Sequence, residues 1–227
     1  MIRLADFERP LFFTGAGLSV ESGIPTYRGA GGVWEEYDYE SYACQRAFDA
    51  DPEKVWDFHD LRRAKVAEAE PNEGHRIIAE TQARCPGTRI VTQNIDGLHQ
   101  RAGATDVVEL HGSLWRLRHK RETIENFEVP LGARRHADGG YWRPAIVWFE
   151  DALDPLVLQA AANALQECDL LVSIGTSGVV YPAAELPRIA VRRAIPCVEI
   201  NPEETPVSRW YTHALRGPAS EMLRSLI

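Results

Sequence analysis

Short apolar runs rich in β-branched and aromatic residues alternate along this chain with segments of helical periodicity, and each run stops at a glycine, an amide or a histidine. The runs are one closing at Phe12-Phe13-Thr14, then Thr88–Gln93, Asp106–Leu110, Asp169–Ile174 and Pro196–Ile200. Between them, Asp51–Ala69 reads as a helix: Pro52 suits a first turn after Asp51, and Val55, Phe58 and Leu61 recur at helical spacing. Asn72–Ala83, Asp154–Glu167 and a segment closing at Val191 read the same way. Strands alternating with helices predict an α/β fold built on a doubly wound parallel sheet. Ligands of such sheets bind beyond the carboxyl ends of the strands, so the residues that follow each run carry the functional information.

The alternation breaks once. Ser113–Arg143 is charged and irregular, with Arg118-His119-Lys120-Arg121 and Arg134-Arg135-His136 inside it. It predicts an excursion that rejoins the sheet at Pro144–Phe149. The expected division is a Rossmann-like domain over 1–30, 76–112 and 144–227 with a small inserted module over 31–75 and 113–143.

Composition removes several function classes. The formal charge of −8 over 227 residues leaves no surplus of Lys and Arg to neutralise phosphates, which argues against nucleic acid as a partner. Met1–Asp6 lacks the layout of a secretory signal and no apolar run is long enough to cross a bilayer, so no membrane partner and a cytoplasmic location are expected. Cys44, Cys85, Cys168 and Cys197 contain no C-x-x-C pair, so neither a disulfide framework nor a cysteine zinc site is indicated. Cys197, between Pro196 and Val198, reads as a small buried hydrophobe. The sequence leaves the oligomeric state unknown.

The strand ends are more informative together than singly. Gly15-Ala16-Gly17 after the first run allows a tight turn whose backbone can lie against a phosphate, but Val20 stands where a dinucleotide fingerprint places its third glycine. By itself this admits a plain strand-to-helix turn. Asn94 and Asp96 can shape an Asx-type turn, and an isolated His111 admits a structural role. In a parallel sheet, however, Gly15–Ser19, Gln93–Asp96, His111, Gly175-Thr176-Ser177 and Asn201 all gather at one edge, which points to a site.

At these residues the chain resembles the sirtuins, the NAD-dependent protein lysine deacylases. The matching blocks are Gly15–Ser19 through Ser22–Arg28, Thr92–His99, Glu109–Ser113, Val147–Glu150, Gly175–Ser177, Ile200–Pro202 and Gly217–Ser220, in family order over nearly the whole chain. The resemblance implies NAD consumed as a co-substrate. Gly15, Ala16 and Gly17 would hold the pyrophosphate, Ser19, Arg28, Gln93, Gly175, Thr176 and Ser177 the ribose and phosphate portions, and Asn201 and Ala219 the adenosine side. Asn94, Ile95 and Asp96 would bind the nicotinamide carboxamide, and the acyl oxygen of a modified lysine would attack the anomeric carbon. His111 would act as general base on a ribose hydroxyl, giving free lysine and O-acyl-ADP-ribose. Val147, Trp148 and Phe149 would bind the acyl-lysine peptide.

Three departures from the family pattern shape the expectations. The loop aromatic, usually phenylalanine, is Tyr27, which would shield the reaction centre. Four zinc-binding cysteines are replaced by His119, Glu122, Arg135 and Asp138, so no zinc is expected; His119 and His136 read as solvated polar residues. The excursion must then be ordered by packing among Trp115, Leu117, Phe127, Leu131, Tyr141 and Trp142. Finally, the Tyr-x-x-Arg pair of desuccinylating and demalonylating relatives reads His59-Asp60-Leu61-Arg62 here, which suggests some tolerance for acidic acyl groups. Two other readings stay open: an ADP-ribosyltransferase or NAD hydrolase on the same fold, and an inactive NAD-sensing interaction protein.

Overall fold

The computed structural model describes residues 2–29 and 31–227. In chain order its first half contains β1 (Pro10–Thr14), α1 (Val33–Glu36), α2 (Tyr39–Tyr42), α3 (Gln45–Ala50), α4 (Pro52–Glu68), α5 (Glu73–Arg84), β2 (Arg89–Thr92), α6 (Leu98–Arg101) and β3 (Val107–Glu109). There follow β4 (Gly112–His119), β5 (Glu122–Glu125), β6 (Arg143–Ile146), α7 (Pro155–Glu167), β7 (Leu170–Ile174), α8 (Arg188–Val191), β8 (Cys197–Ile200), β9 (His213–Leu215) and α9 (Ala219–Arg224). Among the described residues no helix is long and apolar enough to cross a membrane.

Six strands form one parallel sheet in the order β3-β2-β1-β7-β8-β9. Connections run outward from β1 to one side and from β7 to the other, so the order reverses between these two strands, and a crevice opens beyond their carboxyl ends. Both are wholly buried, as a sheet covered on two faces requires. Phe12 packs with Leu18, Ile78, Ile90 and Val172 on one face, and its neighbours Leu11 and Phe13 pack with Val91, Ala161, Leu165 and Leu171 on the other. Each Leu, Ile, Val and Phe among these contributes roughly 1.5–3 kcal/mol by leaving water.

Local chemistry explains the helix starts. Asp51 accepts the Lys54 amide at 3.0 Å ahead of Pro52, Asn72 accepts the His75 amide at 3.2 Å, and Asp154 accepts the Leu156 amide at 2.7 Å ahead of Pro155. The expected helices over 51–69, 72–83 and 154–167 are therefore present with ends shifted by a residue or so. Cys197 is buried, and burial pushes its thiol up to about 12.

The excursion differs from its expectation. It is not irregular: β4 pairs antiparallel with β5 and with β6 in a separate three-stranded sheet. The alternation that would have announced β4 is hidden because Ser113, Leu114 and Trp115 are all buried in succession. Nor does Pro144–Phe149 rejoin the parallel sheet. Its first residues are β6 of the small sheet, and Val147–Phe149 leave it toward a turn, with the Val147 amide donating to His111 O at 2.9 Å and the Phe149 amide to Ala43 O at 3.1 Å.

The small sheet packs on α4 through Val55, Trp56, Leu114, Trp115, Leu117, Leu131, Trp142 and Trp148, with Tyr141 partly buried beside them. Phe127 is the exception in the expected set: it stacks on Trp115 at 5.9 Å between centroids yet stays two-thirds exposed (67%). Arg63 of α4, itself buried, donates to the carbonyls of Leu114, Asn126 and Glu128 and lies over the Trp115 ring. One guanidinium thus fastens the helix to the loop that follows β5.

Candidate active site

Beyond the ends of β1 and β7 lies a cavity of about 790 Å³. Its floor is made by two turns packed backbone on backbone. Gly15 and Gly17 open a 3-10 turn over Ala16–Ser22, and a Cβ on Gly17 would stand 2.6 Å from Gly175 Cα, one on Gly15 2.7 Å from Gly175 O. Gly175 has φ +60°, and a Cβ there would meet the Leu18 nitrogen at 2.5 Å. The three glycines are needed first for turn-on-turn contact, and beside that contact Ala16 and Thr176 line the cavity.

The turn after β2 supplies the next wall. Asn94 donates from Nδ2 to Gly15 O at 3.1 Å and to Ser19 Oγ at 3.2 Å, which leaves its Oδ1 as an acceptor. Ser19 in turn donates to Asp96 Oδ2 at 2.8 Å, and the other Asp96 oxygen accepts the Leu98 amide at 2.9 Å. Burial raises the Asp96 carboxyl above its ordinary range. Ser19 and Asp96 are the two expected site residues that do not line the cavity: they stand behind Asn94 and hold it. Gln93, Asn94 and Ile95 do line it, and Gln93 Nε2 donates to Thr176 Oγ1 at 3.0 Å, joining this turn to the one after β7. Asn201 donates to Thr176 O at 2.8 Å, and Ser177 and Ala219 complete that side.

His111 follows β3. Its Nδ1 lies 2.9 Å from the carbonyl oxygen of Gln93, and a carbonyl only accepts, so Nδ1 carries the proton and Nε2 keeps a free lone pair. Burial holds the ring's pKa below the ordinary histidine value, so the imidazole is neutral at pH 7. That is the state a general base requires.

The opposite wall is aromatic. Trp148 is buried with Arg143 over one face at 3.6 Å and His59 stacked at 6.0 Å and 19°, while Val147 and Phe149 also line the cavity. Arg28 lies 5.7 Å from the Phe149 centroid. Both His59 and Arg62 of α4 reach the cavity. His59 is fully buried and burial keeps it neutral, well below the usual histidine range; its ring nitrogens make no hydrogen bond among the described residues. Arg62 donates from Nη2 to the Tyr27 hydroxyl at 2.6 Å. Sequence reasoning missed Trp34, which tilts against Tyr27 at 5.7 Å, stacks on Phe58 at 6.1 Å and meets Phe149 edge-on at 5.5 Å. A tryptophan directly after Gly31-Gly32-Val33 has no periodicity to announce it.

The whole arrangement, a glycine cradle, an amide with a free acceptor and a neutral imidazole, can be compared with known proteins. The Sir2 family model matches residues 15–182, most of the chain. The chain belongs to the Sir2 family. This sirtuin is 44% identical to NAD-dependent protein deacylase 1 of Pseudomonas aeruginosa, over 99% of this chain and 95% of that protein. It is 43% identical to the NAD-dependent protein deacylase of Aquifex aeolicus, over 94% and 91%. Among solved structures, a Sir2 homologue in complex with NAD superposes with a TM-score of 0.89 at 40% identity, covering 98% of this sirtuin and 89% of that chain.

The residues expected in place of the family's zinc cysteines lie in the small module. His119, His136 and Asp138 do converge, but as half-buried stacked rings and an anchored carboxylate rather than as solvated groups. His119 bonds Tyr141 O through Nδ1 at 2.9 Å and Asp138 Oδ2 through Nε2 at 3.0 Å, and the Lys120 ammonium sits 2.6 Å from the same oxygen. His136 Nδ1 accepts the Asp138 amide at 3.2 Å and Nε2 faces Glu122 at 3.2 Å. His119 donates through both ring nitrogens, the His136 Nδ1 lone pair accepts an amide, the Lys120 ammonium stands in the cluster, and Arg135 lies on the Tyr141 ring.

Proposed function

We propose that this sirtuin is an NAD-dependent protein lysine deacylase that yields nicotinamide, free lysine and O-acyl-ADP-ribose. The observation that carries the reading is the His111 imidazole, neutral and fixed with Nε2 free, in the same cavity as the free Asn94 oxygen. The turns of Gly15, Ala16, Gly17 and Gly175, packed on each other and lining the cavity, offer the backbone a pyrophosphate needs, and Gln93, Thr176 and Asn201 lie along the walls where ribose and adenosine would rest. NAD supplies an activated glycosidic bond and the hydroxyls to which an acyl group is transferred. The chain's own contributions are separable. Asn94, braced by Ser19 and Asp96, orients a carboxamide; Tyr27 and Trp34 exclude water; His111 Nε2 removes a hydroxyl proton; Val147 and Phe149, on the cavity wall, meet the acyl-lysine protein.

Acidic acyl groups are part of the proposal. Arg62 is a half-buried cation in an aromatic cavity, pairs with no carboxylate among the described residues, and spends one of its donors on Tyr27. A succinyl or malonyl carboxylate would supply the missing partner. The small module is read as zinc-free, ordered by the Trp-rich core and the His119–Asp138–His136 cluster, and the protein as cytoplasmic, in keeping with four free cysteines.

Incubation with NAD and acetyl-, malonyl- or succinyl-lysine peptide, followed by mass analysis of peptide, nicotinamide and O-acyl-ADP-ribose, tests the reading. Deacylation that depends on both substrates is expected; nicotinamide release without peptide turnover would show a hydrolase instead. Metal analysis should find far less than one zinc per chain.

A further inference from the structure

Two buried histidines take no part in the chemistry described above. His75 of α5 and His99 of α6 are 0% and 1% exposed, their rings meet at 5.1 Å and 67°, and burial lowers the pKa of each far below the ordinary value. The His75 ring nitrogens have no partner among the described residues, but His99 is tied into a chain of contacts. His99 Nε2 lies 2.9 Å from Thr14 Oγ1 at the end of β1, Thr14 Oγ1 donates to Thr92 Oγ1 at 2.8 Å at the end of β2, and Thr92 Oγ1 accepts the Asn94 amide at 3.0 Å.

Proton counting gives this relay a direction. A threonine hydroxyl has one proton, and that of Thr14 goes to Thr92. Thr14 must therefore accept from His99, which places the ring proton on Nε2 and leaves Nδ1 as a lone pair with no partner among the described residues. Every group in the path is neutral and almost wholly buried, so no part of it is solvated in exchange. The last bond, from the Asn94 amide back to the Thr92 hydroxyl two residues earlier, is a local side-chain turn that bends the chain out of β2. The rotamer of Thr92 sets that bend, Thr14 holds the rotamer, and His99 holds Thr14.

We infer that His99, acting through Thr14 and Thr92, is a positioning residue for the reaction: it sets the backbone of Asn94 and so the aim of the Asn94 carboxamide into the cavity. The inference rests on the reading of Asn94 as the group that orients the leaving part of the co-substrate. His75 serves the relay by packing against the His99 ring and closing it from water.

Thr92→Val tests the relay with almost no change in shape, and Thr92→Ser restores the hydroxyl. Deacylation of an acetyl-lysine peptide and nicotinamide exchange are measured together with ADP-ribose affinity and thermal melting. Thr92→Val is expected to lower kcat about tenfold in both reactions, the size of one lost hydrogen bond in a buried network. KM for peptide and Kd for ADP-ribose should stay within about twofold, with Thr92→Ser close to wild type. His99→Gln, which keeps an N–H for Thr14, should outperform His99→Leu. Full kcat in Thr92→Val overturns the inference, as does a fall in kcat that is matched by an equal loss of ADP-ribose affinity. A wild-type protein that releases no nicotinamide from NAD and peptide would remove the reading of Asn94, and the inference with it.

Discussion

Arg62 donates a 2.6 Å hydrogen bond to the Tyr27 hydroxyl and lies 4.6 Å from the centroid of the same ring. Helix α4 is thereby tied to the loop that follows the glycine turn, and a charge stands at the cavity wall with no carboxylate partner among the described residues. Arg62→Met should lower kcat/KM for succinyl and malonyl peptides by about tenfold or more relative to acetyl peptide, the range of a charge-assisted hydrogen bond. Steady-state kinetics on matched peptides decides it; an unchanged order of preference would rule out the acidic-acyl reading. Tyr27→Phe should keep acetyl turnover while raising KM for the acidic substrates.

With His111 as the proposed base, the acid side of the pH profile should follow its titration. Its folded pKa is lowered by burial, so the neutral base persists below the ordinary value of 6.5. As pH falls, kcat/KM should therefore drop with a midpoint below 6.5. A midpoint above 7 would contradict the assignment, as would deacylation by His111→Ala.

The glycines separate crowding from backbone strain. At Gly17 a Cβ would meet Gly175 Cα at 2.6 Å, whereas at Gly23, with φ +81°, nothing lies within 4 Å. Gly23→Ala should cost only the left-handed penalty of about 1–2 kcal/mol and preserve ADP-ribose binding. Gly17→Ala should cost about 3 kcal/mol, the upper end of overpacking, and lose that binding as the turns separate. Denaturant melts with calorimetric titration of ADP-ribose distinguish the two.

Acid should unfold the protein through its buried imidazoles. In the folded state the pKa is about 3 for His75 and about 4 for His99, against an ordinary 6.5. Between 6.5 and these values the unfolded chain binds more protons, so stability is full above 6.5 and declines as pH falls. Each histidine contributes a slope approaching about 1.4 kcal/mol per pH unit. His75→Gln should flatten the dependence measured by urea melts between pH 6.5 and pH 4; an unaltered slope would show that other groups govern it.

The parallel sheet was legible because its strands are short apolar runs with abrupt polar ends, and Phe12, Ile90 and Val172 report their own burial. The gathering of Gly15, Asn94, His111 and Gly175 followed from the sheet alone, since all four succeed parallel strands. The small sheet was not legible, because Trp115 and Leu114 are buried side by side and erase the two-residue alternation. Ser19 and Asp96 were placed at the site, but their hydroxyl and carboxylate serve Asn94 from behind, a distinction that requires side-chain directions. The stacking of Trp34 on Phe58 and the Arg62–Tyr27 bond join residues more than twenty apart in the chain, with no local pattern to carry them.

Four nearly consecutive residues of α4 face three different parts of the molecule. His59 and Arg62 reach the cavity, Asp60 holds the Leu131 amide at 3.1 Å and Arg134 at 2.7 Å, and Arg63 clasps the end of β5's loop. One rigid element therefore carries both the cavity's His59 and Arg62 and the anchors of the connection from β5 to β6, so the wall of the cavity and the loop of the small sheet are fixed by the same stretch of helix.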